Sequence, residues 1–212
     1  MAAGDGAGTA LAALCEQYRE PIKRFIQQRG HSVDDAEDLT QGFFARLLEK
    51  NDLAAANPAR GRFRSWLLGA AKHYLANEWD KAHTQKRGGA LVDAETSGEA
   101  EPADHGTPEY FYVRSCALAL VERTTRRLRE EHVSRGMGEF FDRVKGCIAD
   151  QSPEPDTLAV VKEFGIEAGT LKSRVWRLRK RWGELVREDV ADTVESPSEV
   201  EEEIRYLLQF LS

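Results

Sequence analysis

The sequence contains no hydrophobic run that approaches the length of a membrane-spanning helix, which needs about 20 apolar residues. It also lacks the marks of an export signal, because the Ala-rich start carries Asp5 and no basic segment. Leu14, directly before Cys15, fits a lipoprotein cleavage site poorly. We therefore expect a cytoplasmic protein that makes no membrane contact.

Cysteine is scarce, with three residues in 212, and none of them has a CxxC or Cys/His ligand spacing. Cys15, Cys116 and Cys147 each lie in an apolar helical pattern, so buried, reduced thiols are expected. The five histidines are scattered along the chain. The sequence therefore predicts no metal site, no cofactor and no small-molecule substrate.

Positive charge is concentrated in two segments, although the formal net charge is −6. Residues 60–87 contain seven Lys or Arg against two acids, and residues 172–187 contain seven against one. Residues 93–109, between them, contain six acids and no Lys or Arg. This segregation argues against a uniformly basic nucleic-acid coat and favours two local anion-binding surfaces.

Residues 157–182 (TLAVVKEFGIEAGTLKSRVWRLRKRW) have the pattern of two short helices joined by a tight turn. In the second helix an apolar stripe recurs at i, i+4, i+7 and i+11: Leu171, Val175, Leu178 and Trp182. A neighbouring face carries Lys172, Ser173, Trp176, Arg177 and Lys180. We expect Gly165 to end the first helix and Thr170 to cap the second. The pattern favours a helix-turn-helix that enters a DNA major groove over a surface helix with a solvated basic face.

Three amphipathic helices are predicted in the first half of the chain. The first ends at Gly30 and contains Pro21, which either kinks it or starts a second helix. Ser32 and Asp35 resemble a capping box for the next helix, whose inward residues are Ala36, Leu39, Phe43 and Leu47. The third helix follows a loop at 51–62, and its predicted core line is Phe63, Leu67, Ala70 and Tyr74.

Four acids are crowded at the start of the second predicted helix: Asp34, Asp35, Glu37 and Asp38. Dense carboxylates can hold a metal ion or act as an acid/base pair, so a nucleic-acid enzyme is one hypothesis. No histidine or second carboxylate cluster completes such a site, and stabilisation of the helix N-terminus accounts for these acids. We therefore predict no catalytic residue and no enzyme activity.

The run from Asp38 to Gln41 (DLTQ), followed by GRFRSWLLGAAKHYLANEWDKAHTQKRGG, resembles bacterial RNA polymerase sigma factors of the extracytoplasmic function (ECF) group. In that family the DLTQ pattern belongs to region 2.2, the helix that docks on the clamp helices of the polymerase β′ subunit. The resemblance implies core-polymerase contacts at Asp35, Asp38 and Gln41. An acidic residue often follows the glutamine in this pattern, and Gly42 stands there in this chain.

The same resemblance extends to both basic segments. The loop at 51–62 and the helix after it match regions 2.3 and 2.4, which capture a flipped base of the −10 element and read its neighbours. This implies −10 DNA contacts at Arg60, Arg62, Arg64, Lys72, Asn77 and Lys81. GTLKSRVWRLRKRW matches region 4.2, which reads the −35 element. This implies −35 DNA contacts at Thr170, Lys172, Ser173, Trp176, Arg177 and Lys180.

We therefore expect an all-α protein with two small helical domains, at 10–87 (sigma region 2-like) and 109–190 (sigma region 4-like helix-turn-helix). Residues 1–9 are expected to be disordered, and residues 88–108 to form a flexible acidic linker. The tail at 191–212 is expected to form an amphipathic helix with one apolar face: Val200, Ile204, Leu207, Leu208 and Leu211. It either packs on the second domain or regulates the protein by masking the basic helix or binding a partner.

The predicted function is promoter recognition. The protein would bind core RNA polymerase at the β′ clamp helices and the β flap, read the −35 and −10 elements and melt −10 DNA. An anti-sigma factor is a further candidate partner. The main alternative is a stand-alone helix-turn-helix regulator that never binds polymerase, which leaves the DLTQ helix and the first basic segment without a role.

Overall fold

In the computed structural model, which describes residues 3–49, 62–84, 106–148 and 156–211, all regular secondary structure is helical. The α-helices are α1 (Ala3–Gln28), α2 (Val33–Glu49), α3 (Phe63–Thr84), α4 (Pro108–Val133), α5 (Gly138–Val144), α6 (Thr157–Phe164), α7 (Ala168–Ala191) and α8 (Val200–Leu208). Short 3-10 turns span Lys145–Cys147, Pro197–Glu199 and Gln209–Leu211. The all-α prediction is confirmed. Over these ranges, none of the helices combines the length and apolar character that crossing a bilayer requires.

The first helix differs from its prediction at two places. It begins at Ala3, so residues 3–9 are helical where disorder was expected, and residues 1 and 2 lie outside the described part of the chain. Alanine is the strongest helix former, and the Ala-rich start extends the helix that follows it. The helix also continues through Pro21, so no second helix starts there. It ends, as predicted, before Gly30, which has a positive φ of 94°.

A first hydrophobic core joins α1, α2 and α3 to parts of the second half of the chain. From the first half it contains Ile22, Phe25, Ala36, Phe43 and Leu67 among its buried residues. The second half contributes the first part of α4, the last part of α7 and α8, through Tyr112, Val113, Cys116, Val186, Val190 and Leu207. The helix α4 packs along α1, and the rings of Phe25 and Tyr112 meet edge to face at 6.3 Å.

A second core lies under the helix-turn-helix. It contains Leu128, Phe140, Phe141, Val144, Ile148, Val160, Leu171, Val175, Leu178 and Leu185. Trp182 is partly buried against both cores. There are thus two helical cores, but they divide within α4 and α7. The two cores agree with the predicted layout of two helical domains, and the bounds 10–87 and 109–190 stay a prediction.

The helix-turn-helix of α6 and α7 has the predicted turn. Asp156 caps α6, because its side chain accepts a hydrogen bond from the Ala159 N–H at 3.2 Å. Gly165 ends α6 in the left-handed conformation, with φ 59° and ψ 35°. The prediction for Thr170 is wrong: α7 begins at Ala168, and Glu167 is its N-cap, without a side-chain capping bond.

Ion pairs connect α4 and α7 along their length. Arg123 Nε lies 2.7 Å from Asp189 Oδ2, and Arg181 Nη2 lies 2.8 Å from Glu131 Oε1. Arg127 Nη2 contacts Glu188 Oε2 at 3.0 Å. These two helices also contribute residues to both cores, so they connect the two cores.

The three cysteines are free and buried, as predicted. Burial raises the pKa of the Cys116 thiol to about 12, against the smaller opposing effect of the Arg64 charge. The thiol therefore stays protonated, as expected for a core residue.

The tail is helical as predicted, and it packs against helices of the predicted second domain, though not on the core under the helix-turn-helix. Its buried apolar residues Val200, Leu207 and Phe210 belong to the first core, and α8 contacts α4 and α7. Glu203, on the same face, is 2% exposed. Leu208, which the sequence placed on the apolar face, is 39% exposed. The buried face of α8 is therefore narrower than predicted.

Candidate functional site

The outer surface of α2 presents a continuous exposed stripe at i, i+4, i+7, i+11 and i+14: Asp34, Asp38, Gln41, Ala45 and Leu48. The opposite side of the helix is buried in the first core through Ala36, Phe43 and Leu47, as predicted. Leu48 is 45% exposed, so the stripe has an acidic beginning and an apolar end. It extends over about 21 Å, at 1.5 Å per residue.

The start of α2 is held in place by its own acids. The Asp35 N–H donates to Ser32 Oγ at 3.1 Å, and the Ser32 hydroxyl donates to Asp35 Oδ2 at 2.7 Å. Glu37 pairs with Arg19 and with Lys23 on α1, the latter at 3.3 Å. The hydrogen bond from Arg19 lowers the pKa of Glu37. Ser32 therefore caps the helix, Asp35 accepts from the Ser32 hydroxyl while remaining exposed, and Glu37 joins α2 to α1.

Gly42 lies where α2 and α3 approach each other. A Cβ at this position would be 2.5 Å from the Tyr74 hydroxyl oxygen, so a larger residue would displace that ring. The Phe43 and Tyr74 rings pack beside it at 5.7 Å. This contact gives a packing reason for glycine at the position where the family pattern often has an acid.

The buried side of α3 is shifted by one position from the prediction. Its buried residues recur at i, i+3, i+4, i+7 and i+11: Arg64, Leu67, Leu68, Ala71 and Leu75. Phe63, Ala70 and Tyr74, placed in the core line by the sequence, are only partly buried. Arg64 therefore stands at the first position of the buried stripe.

Arg64, for which the resemblance implied a −10 contact, forms an internal ion pair in this structure. It is 4% exposed, and its Nε and Nη2 atoms donate to the two carboxylate oxygens of Glu203 on α8, the second at 3.2 Å. Its guanidinium lies 4.3 Å from the centre of the Tyr206 ring. Burial is the largest single effect and lowers the pKa of Arg64, but the hydrogen bond and the negative charge of Glu203, with smaller contributions from other groups, together raise it.

Two further predicted −10 contacts are also paired within the chain. Arg62 Nε lies 2.9 Å from Glu203 Oε2, and its Nη2 lies 3.0 Å from Glu202 Oε1. Lys72 contacts Glu109 at the start of α4 at 2.9 Å. Arg60 lies outside the described residues, as does most of the loop at 51–62.

The outer side of α3 carries the other two predicted −10 residues. Asn77 is half-buried, and its Nδ2 lies 3.2 Å from Nδ1 of the exposed His73. Lys81 is exposed and contacts Glu78 at 2.7 Å. Trp79 is 61% exposed beside them and lines a cleft of about 530 Å³ with Arg29, His31, Leu39 and Leu75.

The predicted −35 residues lie together on the exposed face of α7. All six are exposed: Thr170, Lys172, Ser173, Trp176, Arg177 and Lys180. Lys180 Nζ lies 5.7 Å from the centre of the Trp176 ring, and Arg177 Nε donates to the Ser173 carbonyl at 3.3 Å. The opposite stripe, Leu171, Val175 and Leu178, is buried in the second core. Arg179 points elsewhere, since its Nε donates to the Cys147 carbonyl at 2.8 Å.

Comparison with known proteins decides the nature of the first three helices. Residues 14–84 match the family model Sigma-70 region 2. This part of the chain is similar to region 2 of sigma-70 factors. The chain has no significant match among curated proteins or among solved structures. The sigma-70 match supports a sigma factor that binds core RNA polymerase and takes part in promoter melting, and sigma factors are generally non-enzymatic initiation factors.

The sigma-70 region 2 match contains the α2 stripe and the outer side of α3, while α4 to α8 lie outside it. Two residues on its surface were missed as candidates, His73 and Trp79. The signal for His73 was its position four residues before Asn77, on the same side of the helix. For Trp79 there was no such signal, since only the fold places it at a cleft.

Proposed function

We propose that this protein is an ECF-type sigma factor that directs core RNA polymerase to specific promoters. In this proposal α2 binds the β′ clamp helices, the outer side of α3 reads and helps to melt the −10 element, and α7 reads the −35 element. The helices that surround the second core would also contact the β flap. The protein performs no covalent chemistry of its own.

The observation that carries the proposal is the exposed stripe on α2, within the sigma-70 region 2 match. A helix whose buried side is occupied by a core leaves only its exposed side to bind a partner. Asp38 and Gln41 lie in the middle of that side, and Leu48 adds an apolar contact at one end. A row of this kind suits packing along helices of another protein, with polar residues setting the register.

The surface chemistry of α7 supports the promoter-reading part. Arg177 can donate two hydrogen bonds to a guanine, Ser173 can reach a base edge, and Lys180 can neutralise a phosphate. The three side chains share an exposed face, and the packed Leu171 stripe holds the helix firmly behind them. A rigid helix with a short basic face has the dimensions of a major-groove reader.

The deciding experiment is co-purification with core RNA polymerase. We expect the wild-type protein to bind core stoichiometrically and the Asp38→Ala/Gln41→Ala variant to lose at least about tenfold in affinity, or about 1.4 kcal/mol. A matched control, Glu16→Ala/Gln28→Ala, also removes one carboxylate and one amide, both from exposed positions on α1. It should bind as the wild type does.

Equal binding by the two double variants would remove α2 as the polymerase contact. If the wild-type protein does not bind core at all, yet shifts a specific DNA duplex alone, the protein is a stand-alone helix-turn-helix regulator. A palindromic target and a stable homodimer would complete that outcome.

A further inference from the structure

The C-terminal segment, residues 193–211, covers a basic pair at the beginning of α3. The pair is Arg62 and Arg64, and the carboxylate of Glu203 lies between the two guanidinium groups. Glu202 contacts Arg62 from the solvent side at 3.0 Å. Two acids of α8 therefore occupy the donors of two arginines that begin the region 2.4-like helix.

The segment is attached to α3 by more than charge. The N–H of Phe63, the first residue of α3, donates to the Thr193 carbonyl at 3.0 Å. The Tyr206 ring lies 4.3 Å from the Arg64 guanidinium and 5.7 Å from that of Arg62. Phe210 packs against Tyr110 at 5.3 Å and is buried in the first core. The acids are thus placed by a docked segment.

We propose that the C-terminal segment is an autoinhibitory latch, in which Glu202 and Glu203 take the place of DNA phosphates at Arg62 and Arg64. A carboxylate and a phosphate present paired oxygens to a guanidinium in the same way, so the two cannot occupy the same donors together. This inference rests on the proposed function, since it assigns the basic pair to promoter DNA. It differs from masking of the recognition helix, because the six candidate residues on α7 are exposed.

Opening the latch is a change in population between two forms. The apparent affinity for DNA is the affinity of the open form multiplied by the fraction of molecules in which the pair is uncovered. Removing the Glu203 charge destabilises the closed form selectively, because it leaves the buried Arg64 cation without its partner. The same change has no direct cost in the open form, where Arg64 is solvated. A variant at Glu203 should therefore bind DNA more tightly than the wild type.

The test measures binding of full-length protein, without polymerase, to a fluorescein-labelled single-stranded DNA 12-mer by anisotropy. We expect Glu203→Gln to bind about tenfold more tightly, as when about nine molecules in ten are closed in the wild type and almost none in the variant.

The matched control is Glu201→Gln, which removes the same charge from the same helix. Glu201 is exposed and contacts Arg187 on α7 at 2.6 Å, away from the basic pair. Its effect measures how much DNA affinity rises when any one negative charge is removed, and this rise should stay within about twofold. Adding Arg62→Ala to Glu203→Gln should remove part of the gain and reduce the salt slope. A folded Glu203→Gln variant that gains no more than Glu201→Gln overturns the latch.

A second variant keeps the test decisive if Glu203→Gln loses its helical circular dichroism. Glu202 is exposed, so Glu202→Gln leaves the buried pair intact and weakens only the outer contact. A gain above that of Glu201→Gln supports the latch, and its absence overturns it. Core-polymerase binding separates the two proposals. Core binding without the DNA gain overturns the latch alone, and the DNA gain without core binding overturns the sigma function alone.

Discussion

Arg62 and Arg64 stand two positions apart, and the difference in their surroundings comes from the register of one helix. Arg64 precedes Leu67 and Leu68 by three and four residues, so it falls on the buried side of α3. Its long stem can be buried if the charged end finds a carboxylate, which Glu203 supplies. Arg62 lies at the edge of the same site and keeps its side chain 17% exposed.

On α7, two substitutions distinguish a side chain that contacts a base from one that contacts a phosphate. Arg177→Ala should weaken binding of the preferred −35 duplex by about 1–3 kcal/mol and affect other sequences much less, because the lost contact is to a base edge. Lys180→Ala should weaken binding about equally on all sequences and reduce the salt slope by about 1. Anisotropy titrations of a selected and a scrambled duplex at several salt concentrations measure both effects.

The two variants serve as controls for each other, since both side chains are exposed on the same helix. An equal loss on every sequence for Arg177→Ala would contradict its assignment to a base. Arg179 is unsuitable for this comparison, because its hydrogen bond to the Cys147 carbonyl makes it a contact within the fold.

At the scale of elements, the helix-turn-helix depends on Gly165. Its φ of 59° lies in the left-handed region, where a Cβ costs about 1–2 kcal/mol. In the described part of the chain, nothing beyond its neighbours along the backbone lies within 4 Å of where that Cβ would be. We expect Gly165→Ala to lower the free energy of unfolding by about that amount through backbone strain alone. Urea unfolding followed by far-UV circular dichroism measures it.

Gly169 provides the control for this substitution. It lies in the first turn of α7, it also has open space around the added Cβ, and its φ is not positive. Gly169→Ala should leave stability unchanged or raise it by up to about 1 kcal/mol, because alanine favours the helix. A loss of equal size in both variants would show that the left-handed conformation is not the cause.

At the scale of the whole molecule, the two cores share α4 and α7, so they should unfold together. Ile148→Val in the second core should cost about 0.5–1.5 kcal/mol. With coupled cores, the slowest-exchanging amides of α1, in the first core, should lose protection by the same free energy. Hydrogen exchange followed by mass spectrometry measures this.

Val33→Ala supplies the comparison for that experiment. Val33 is 67% exposed, so its substitution should leave the exchange of α1 amides unchanged. Unchanged α1 protection in Ile148→Val, with faster exchange confined to α5, α6 and α7, would indicate two independently stable units.

Some of this protein was predictable from local patterns. The inward residues of α2, the Ser32 cap, the Gly165 turn and the buried stripe of α7 all follow from helical spacing and turn chemistry within a few residues. The candidate residues on α2 and α7 were predicted correctly as exposed, because each lies opposite a strong apolar stripe. The sequence at the start of α3 did not decide which residues are buried. Phe63 and Arg64 are adjacent, and a buried stripe with helical spacing can begin at either one.

The sequence alone determined the helices, the likeness of residues 14–84 to sigma-70 region 2, and the exposed faces of α2 and α7. These features depend on residues that are close together in the chain. Only the tertiary structure decided what lies against Arg64, why α4 packs on α1, and where the tail docks. These depend on contacts between residues far apart, such as Arg64 and Glu203, which are 139 positions apart. Spacing along a helix says which side is buried, but it does not say which partner buries it.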